Sequence, residues 1–191
     1  MIISGTRRLI IRDWKDDDRA LFHEINSDPQ VMEFFPMRRN RQESDALLER
    51  INDMIHATGF GFYALEHRET GMPMGFCGIS PVTVDGVFPP GTMEIGWRLA
   101  APYWGQGFVT EAAKALLSMS FDEKQLSEIV SFAVHDNHRS TAVMKRIGLI
   151  RDPSRDFDHP RVPDTHPQLK PHVTYALSNE QWKAMHRHPS V

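Results

Sequence analysis

Cysteine is nearly absent: Cys77 is alone among 191 residues. An intramolecular disulfide and a cysteine-built zinc site are therefore excluded. No stretch approaches the roughly 18 apolar residues of a membrane-spanning helix. The opening residues carry Arg7 and Arg8 and hold no apolar export core, so the cytoplasm is the expected compartment, with no membrane partner. A basic excess is missing as well. The 22 Lys and Arg stand against 25 Asp and Glu, a net charge of -3, which argues against a nucleic-acid partner. Lysine is scarce within the basic set, 6 against 16 arginines. There is no Gly-x-Ser-x-Gly elbow, so a hydrolase triad has no support. What remains is a chain of one-domain length, 1–191, able to bury roughly 70% of its extendable surface without staples.

The apolar pattern alternates between two periods. Leu9 to Arg12 reads as a first strand. Asp16, Asp17 and Asp18 suit a helix N-terminus, and Leu21, Phe22 and Ile25 follow at helical spacing. Asp28-Pro29 ends that helix, because the residue before proline avoids the helical region. Asn40 with Glu43 forms a capping box ahead of Leu47, Leu48, Ile51, Met54 and Ile55. Strand-like runs follow at 60–65, 74–79 and 93–99. A helix is expected from about Val109, a β-branched strand over 129–134, and a short helix over 140–147 stopped by Gly148. The last strand falls at 173–177, and residues 186–191 are expected to fray. This order gives a mixed α/β (α+β) domain.

The stretch 96–115 reads GWRLAAPYWGQGFVTEAAKA. A strand ends near Leu99, Pro102 turns the chain, and Gly105-Gln106-Gly107 leads straight into a helix. Glycines let a backbone approach a ligand closely. The helix start adds unpaired N–H groups and a positive dipole end, which suit a phosphate or pyrophosphate. The same pattern also serves as a plain tight turn, with Glu111 balancing the dipole. It is not a Walker loop, and Thr110 breaks the dinucleotide fingerprint.

This segment resembles the acetyl-CoA loop of the GNAT N-acetyltransferase superfamily, Gln/Arg-x-x-Gly-x-Gly/Ala. Here Trp104 replaces the first residue, Gly107 matches, and Val109 replaces the last. Thr110-Glu111-Ala112 resembles the helix start of the RimJ/RimL-like branch, which acetylates protein N-termini. Glu94 to Trp97 is similar to that branch's fourth strand, and Asn137 to Ser140 to its Asn-x-x-Ser. Val143 to Leu149 resembles its Lys-Leu-Gly-Phe/Met helix end, and Ser27 to Val31 its Asn-Asp-Pro-Glu-Val turn. The resemblance spans residues 7 to 182.

The resemblance implies a central mixed sheet of about seven strands, splayed between the fourth and fifth, with about four flanking helices. It implies acetyl-CoA in the splay as cosubstrate, with no metal. The pyrophosphate would lie on Gly105, Gln106, Gly107, Phe108, Val109 and Thr110, and the pantetheine along Trp97, Arg98 and Leu99. Asn137 would bond the cofactor's amide region, and equally it is a helix N-cap. The reaction moves an acetyl group from a thioester to a neutral amine. At pH 7, freeing an α-amine of its proton costs roughly 1.4 kcal/mol and a lysine about 4.6 kcal/mol. Glu94 is the candidate base, or else an ordinary strand carboxylate. Met144 stands where many relatives place a proton-donating tyrosine, so Ser140 inherits the donor role, or caps its helix.

Arg38, Arg39 and Arg41 form a basic cluster beside the second helix, either a solvated surface or a dock for an acidic acceptor. The Pro- and His-rich stretch 152–172 is long for a loop in a compact domain, and the resemblance implies that it forms the final β-hairpin connection over the acceptor side, which nominates Asp156, His159 and His172. His135 and His138 lack a third ligand, and solvated histidines are the simpler reading. Cys77 is expected to be buried and inert, so transfer is direct. The expected acceptor is a peptide or protein N-terminus. A small-molecule amine and a non-catalytic acetyl-CoA sensor are the alternatives, and a homodimer is left open.

Overall fold

The computed structural model describes residues 1–186. In chain order the elements are β1 (Ile2–Gly5), β2 (Leu9–Arg12), α1 (Arg19–Ser27), α2 (Arg41–Thr58), β3 (Gly61–His67), β4 (Pro73–Pro81) and β5 (Met93–Leu99). Then come α3 (Phe108–Ser118), β6 (Glu128–Val134), α4 (His138–Arg146), β7 (Ile150–Arg151), β8 (Phe157–Asp158), β9 (Pro171–Ser178) and α5 (Asn179–His186). They form one sheet in the order β1-β2-β3-β4-β5-β6-β9-β7, with β8 paired to β9. This is the mixed α/β sheet expected from the sequence, with two additions. The extra strands β1, β7 and β8 hold four residues or fewer, too short for a period-two pattern to register. The fifth helix, α5, buries only Trp182, so it carries no apolar stripe. His186 belongs to this helix, and the rest of the tail expected to fray, 187–191, lies outside the described residues.

Local signals explain the helices that position the site. Asn40 and Glu43 exchange hydrogen bonds at 2.9 Å in a capping box that starts α2. Ala112, Ala113, Leu116 and Leu117 on α3 are fully buried, at the spacing of one helix face. Each such leucine contributes about 1.5–3 kcal/mol.

All sheet ladders are antiparallel except β5 with β6. That parallel ladder has two pairs only, Met93 with Ile129 and Glu94 with Val130. Beyond Glu94 the strands separate, which is the splay expected between the fourth and fifth sequence-predicted strands. The buried Ser131 hydroxyl donates to the Ile95 carbonyl at 2.8 Å where the ladder stops.

The stretch 152–172 is folded back on the sheet rather than left loose. Arg155 binds both oxygens of Glu128, at 2.7 and 3.1 Å. Val162 and Leu169 pack with Val134 and Phe34 in a second small core.

Candidate active site

The loop between β5 and α3 takes its shape from two glycines. Gly105 and Gly107 hold φ of +73° and +79°, which only a residue without Cβ adopts freely. Trp104 Nε1 donates to the Leu99 carbonyl at 2.8 Å and so closes the strand end. Gln106 Nε2 closes the turn by donating to Pro102 O at 2.8 Å. Gly107 caps α3, and its carbonyl accepts from Glu111 N at 3.0 Å. Among the described residues, the backbone N–H groups of 105–110 donate to no protein group. Such a run at a helix N-terminus suits an anion.

Arg8, from the turn before β2, underpins this loop. Its Nη1 donates to Gln106 O at 3.0 Å and its Nε to Glu111 Oε2 at 2.6 Å. Its guanidinium lies 4.5 Å above the Phe108 ring. Glu111 also accepts from Thr6 Oγ1 and from Arg8 N. Burial works to raise the Glu111 carboxyl, but these donors overcome it and hold it below its ordinary range. Glu111 therefore ties α3 to the β1–β2 turn, a role that sequence spacing did not suggest.

On β5 the strand alternation sorts the side chains. Ile95 and Leu99 are buried in the core. Glu94, Gly96 and Arg98 occupy the other face, where α1 and α2 pack. Arg98 Nη1 donates to Asn26 of α1 at 2.6 Å. Glu94 stands between Ser80 of β4 and Val130 of β6. Its carboxylate accepts no hydrogen bond from the described residues, and burial pushes it up to about 7. The alternation that turns Ile95 O toward β6 also turns the Trp97 N–H and C=O that way, after β6 has departed.

On the far side of the splay, Asn137 Oδ1 accepts from Ser140 N at 3.1 Å, an N-cap for α4. The Ser140 hydroxyl is half-buried and has no partner among the described residues. Met144 is buried in the core. Arg139 reaches across the opening, stacking 4.4 Å from the Trp104 ring and pairing with Glu33 at 2.7 Å.

The remaining sequence candidates separate. Arg41 pairs with Asp45 at 3.1 Å. Arg38 is exposed on the rim of a cleft of about 290 Å³, and Arg39 is half-buried. Asp156 pairs with Arg151 and accepts from Thr174 N at 2.9 Å. His159 and His172 have ring centroids 5.0 Å apart, and Phe157 stacks on His172 at 5.3 Å. Phe132 and Phe88 extend this cluster. Burial, first, lowers both histidines below their ordinary value. Phe132 lies two residues beyond Val130 on β6, so it shares the Glu94 face. Cys77 is fully buried and its thiol is pushed far up by burial. His135 pairs with Asp136 at 2.9 Å, and the described residues hold no group of three metal-binding side chains.

A run of free N–H groups, an open strand edge beside it and a partnerless carboxylate are the furnishings of an acyl-CoA-dependent transferase. Residues 8–150 match the family described as "Acetyltransferase (GNAT) domain". The chain belongs to the GNAT acetyltransferase family. YnaD of Bacillus subtilis, named an uncharacterized N-acetyltransferase, is 29% identical over 77% of this chain and 82% of its own. A GNAT-family acetyltransferase structure from Bacillus anthracis superposes with a TM-score of 0.76 at 24% identity, covering 94% of this chain and 99% of that one. RimL, a ribosomal L7/L12 α-N-protein acetyltransferase solved with coenzyme A, gives a TM-score of 0.74 at 14% identity over 95% and 99% of the chains. The aminoglycoside acetyltransferase AAC(6')-Ib, also with coenzyme A, gives 0.72 at 15% over 94% and 99%. At these identities the structural matches establish the fold. The family supplies the cosubstrate, acetyl-CoA, and the chain is an N-acetyltransferase. The site fits that cosubstrate: the N–H run of 105–110 suits a pyrophosphate, and the free edge at Trp97 suits an amide-bearing arm.

Proposed function

We propose that the acceptor is the N-terminal α-amine of a peptide or protein, in the manner of the RimJ/RimL-like branch, with Glu94 as general base. Acetyl-CoA supplies the activated thioester acyl group. The protein's part is to hold, orient and move a proton. The N–H groups of Gly105, Gln106, Gly107, Phe108, Val109 and Thr110 receive the pyrophosphate, and the Trp97 edge aligns the pantetheine amides. Glu94 takes a proton from the acceptor ammonium, directly or through water, and Ser140 Oγ offers one to the departing sulfur.

The observation that carries this reading is the Glu94 carboxylate, without a partner and raised to about 7 by burial. A base near 7 lies about one pH unit below an α-amine and more than three below a lysine. Proton transfer is therefore uphill by roughly 1.4 kcal/mol in the first case and about 4.6 kcal/mol in the second. The structural likeness to AAC(6')-Ib is the observation on the side of a small-molecule amine. A peptide holding both a free N-terminus and an internal lysine decides the amine class. Mass spectrometry after turnover is expected to place the acetyl group on the N-terminus; acetyl-lysine as the main product contradicts the proposal.

A further inference from the structure

Arg98, half-buried on β5 with its Nε shielded from solvent, departs from the pattern that the buried Arg12 follows. Arg12, in the core beside β3, binds Asp18 at 2.6 Å and Glu66 at 2.7 Å. Buried guanidinium groups ordinarily have such partners, because an unpaired buried charge is costly. Among the described residues, no carboxylate lies within 4.0 Å of Arg98. Within the described residues its hydrogen bond goes to the neutral Asn26, and its Nε is shielded from solvent and has no partner there. The guanidinium carbon lies 4.3 Å from the Phe35 ring centroid and 5.4 Å from that of Phe76. Phe35 in turn lines the cleft of about 290 Å³ that Arg38 borders.

The second cation makes the arrangement harder to read as packing. Arg39 stands close enough for its charge, after burial, to lower Arg98, and among the described residues no carboxylate pairs with it either. Its backbone N–H donates to Asn26 O at 2.9 Å, so the residue that orients Arg98 also anchors Arg39. Two like charges brought together without a counter-ion repel one another, and a bound anion would relieve that repulsion.

We infer that Arg98 and Arg39 form the anion pocket of the acceptor site, and that the acceptor carries a carboxylate apart from the amine it presents to Glu94. The inference rests on the acetyltransferase reading above and adds the chemical class of acceptor. Arg98 lies four residues along β5 from Glu94 on the same face, about 13 Å at strand rise. A Glu at the third residue of an extended peptide spans that distance. So does an elongated free amino carboxylate. Polycationic acceptors such as aminoglycosides are disfavoured by the same two arginines. The Arg98 side chain meets α1, whereas the Trp97 edge faces the splay, so the pocket is separate from the cosubstrate arm.

The test compares two peptides, Ala-Ser-Glu and Ala-Ser-Gln at the N-terminus and otherwise identical, with thiol release from acetyl-CoA as the readout. A second pair, the free tripeptide Ala-Ser-Ala and its C-terminal amide, distinguishes a free amino carboxylate from a side-chain acid. The wild-type chain is expected to favour the carboxylate of at least one pair by about tenfold or more in kcat/KM. Arg98→Gln and Arg39→Gln are each expected to bring that ratio toward one. If Arg98→Gln does not melt cooperatively, Arg39→Gln, whose side chain holds no element in place, carries the test. Equal turnover of both members of both pairs overturns the pocket and leaves the acetyltransferase standing. A preference that survives the substitutions overturns it too, as does an Arg98→Gln effect confined to the KM of acetyl-CoA. No thiol release with any acceptor removes both readings together.

Discussion

Replacing Glu94 with Gln is expected to do two opposite things, and together they test whether burial has shaped this carboxylate for proton transfer. In the folded chain its proton is held up to about 7, against an ordinary 4.5 in the unfolded chain. Below pH 4.5 both states are protonated and Glu94 contributes nothing. Between 4.5 and 7 the unfolded chain ionises while the folded chain keeps its proton, so stability falls as pH rises. Above 7 the folded chain carries a desolvated charge worth about 3 kcal/mol of lost stability. Glu94→Gln removes that loss. The stability difference between variant and wild type is expected to grow from near zero at pH 4.5 to about 3 kcal/mol at pH 8. In a chain of this size that is roughly 6 to 12 °C in Tm. Subtracting the wild-type curve cancels the other titrating groups. Acetyl transfer at neutral pH is expected to drop by about 100-fold or more, with partial recovery at high pH as free amine accumulates. Thermal melts across pH 4.5–8 and initial rates of thiol release measure the two effects. Parallel stability curves, or full activity in the variant at pH 7, refute the reasoning.

The other expectations follow from single contacts. Gly107→Ala places a side chain at φ +79°, with its Cβ 3.6 Å from Arg8 Nη2, and is expected to cost about 1–2 kcal/mol in denaturant melts and to raise the KM for acetyl-CoA. Ser131→Ala removes the donor to Ile95 O, and urea melts are expected to show a loss of about 1–3 kcal/mol. Ser140→Ala leaves the Asn137 cap intact, because that bond uses the Ser140 backbone N–H. It is expected to lower kcat with little change in Tm; an unchanged kcat removes Ser140 as proton donor. Folding holds His159 and His172 below the ordinary 6.5, so both oppose protonation. Stability is expected to fall as pH drops below about 6.5, and His172→Phe to flatten that acid limb in melts.

The parts of the site that were legible in the sequence are those fixed by neighbours in the chain. The glycine turn into α3, the Asn40–Glu43 box and the Asn137 cap all act over three or four residues, and each formed where its pattern stands. The stripe of Ala112, Ala113, Leu116 and Leu117 was readable because helix period and burial coincide. The parts that were not legible depend on long-range register. Nothing near Arg8 announces Glu111, which lies 103 residues away. Arg98 sits in an ordinary strand pattern, and its missing counter-ion emerges only when α1 is laid against β5. The aromatic cluster around His172 needs β6, β8 and β9 side by side before Phe132 and Phe157 meet it. Its place on the Glu94 face of the sheet is likewise something composition alone did not disclose.

The central claim is that a half-buried Glu94 without a hydrogen-bond partner among the described residues matches this acetyltransferase to an α-amine. A competition assay tests it most directly: acetyl-CoA with equal concentrations of a free N-terminal peptide, an N-terminally blocked lysine peptide and an aminoglycoside. The free N-terminus is expected to be acetylated with the highest kcat/KM, and its advantage over the lysine peptide to narrow as pH rises from 7 toward 10. Preference for the lysine peptide or the aminoglycoside at pH 7 contradicts it.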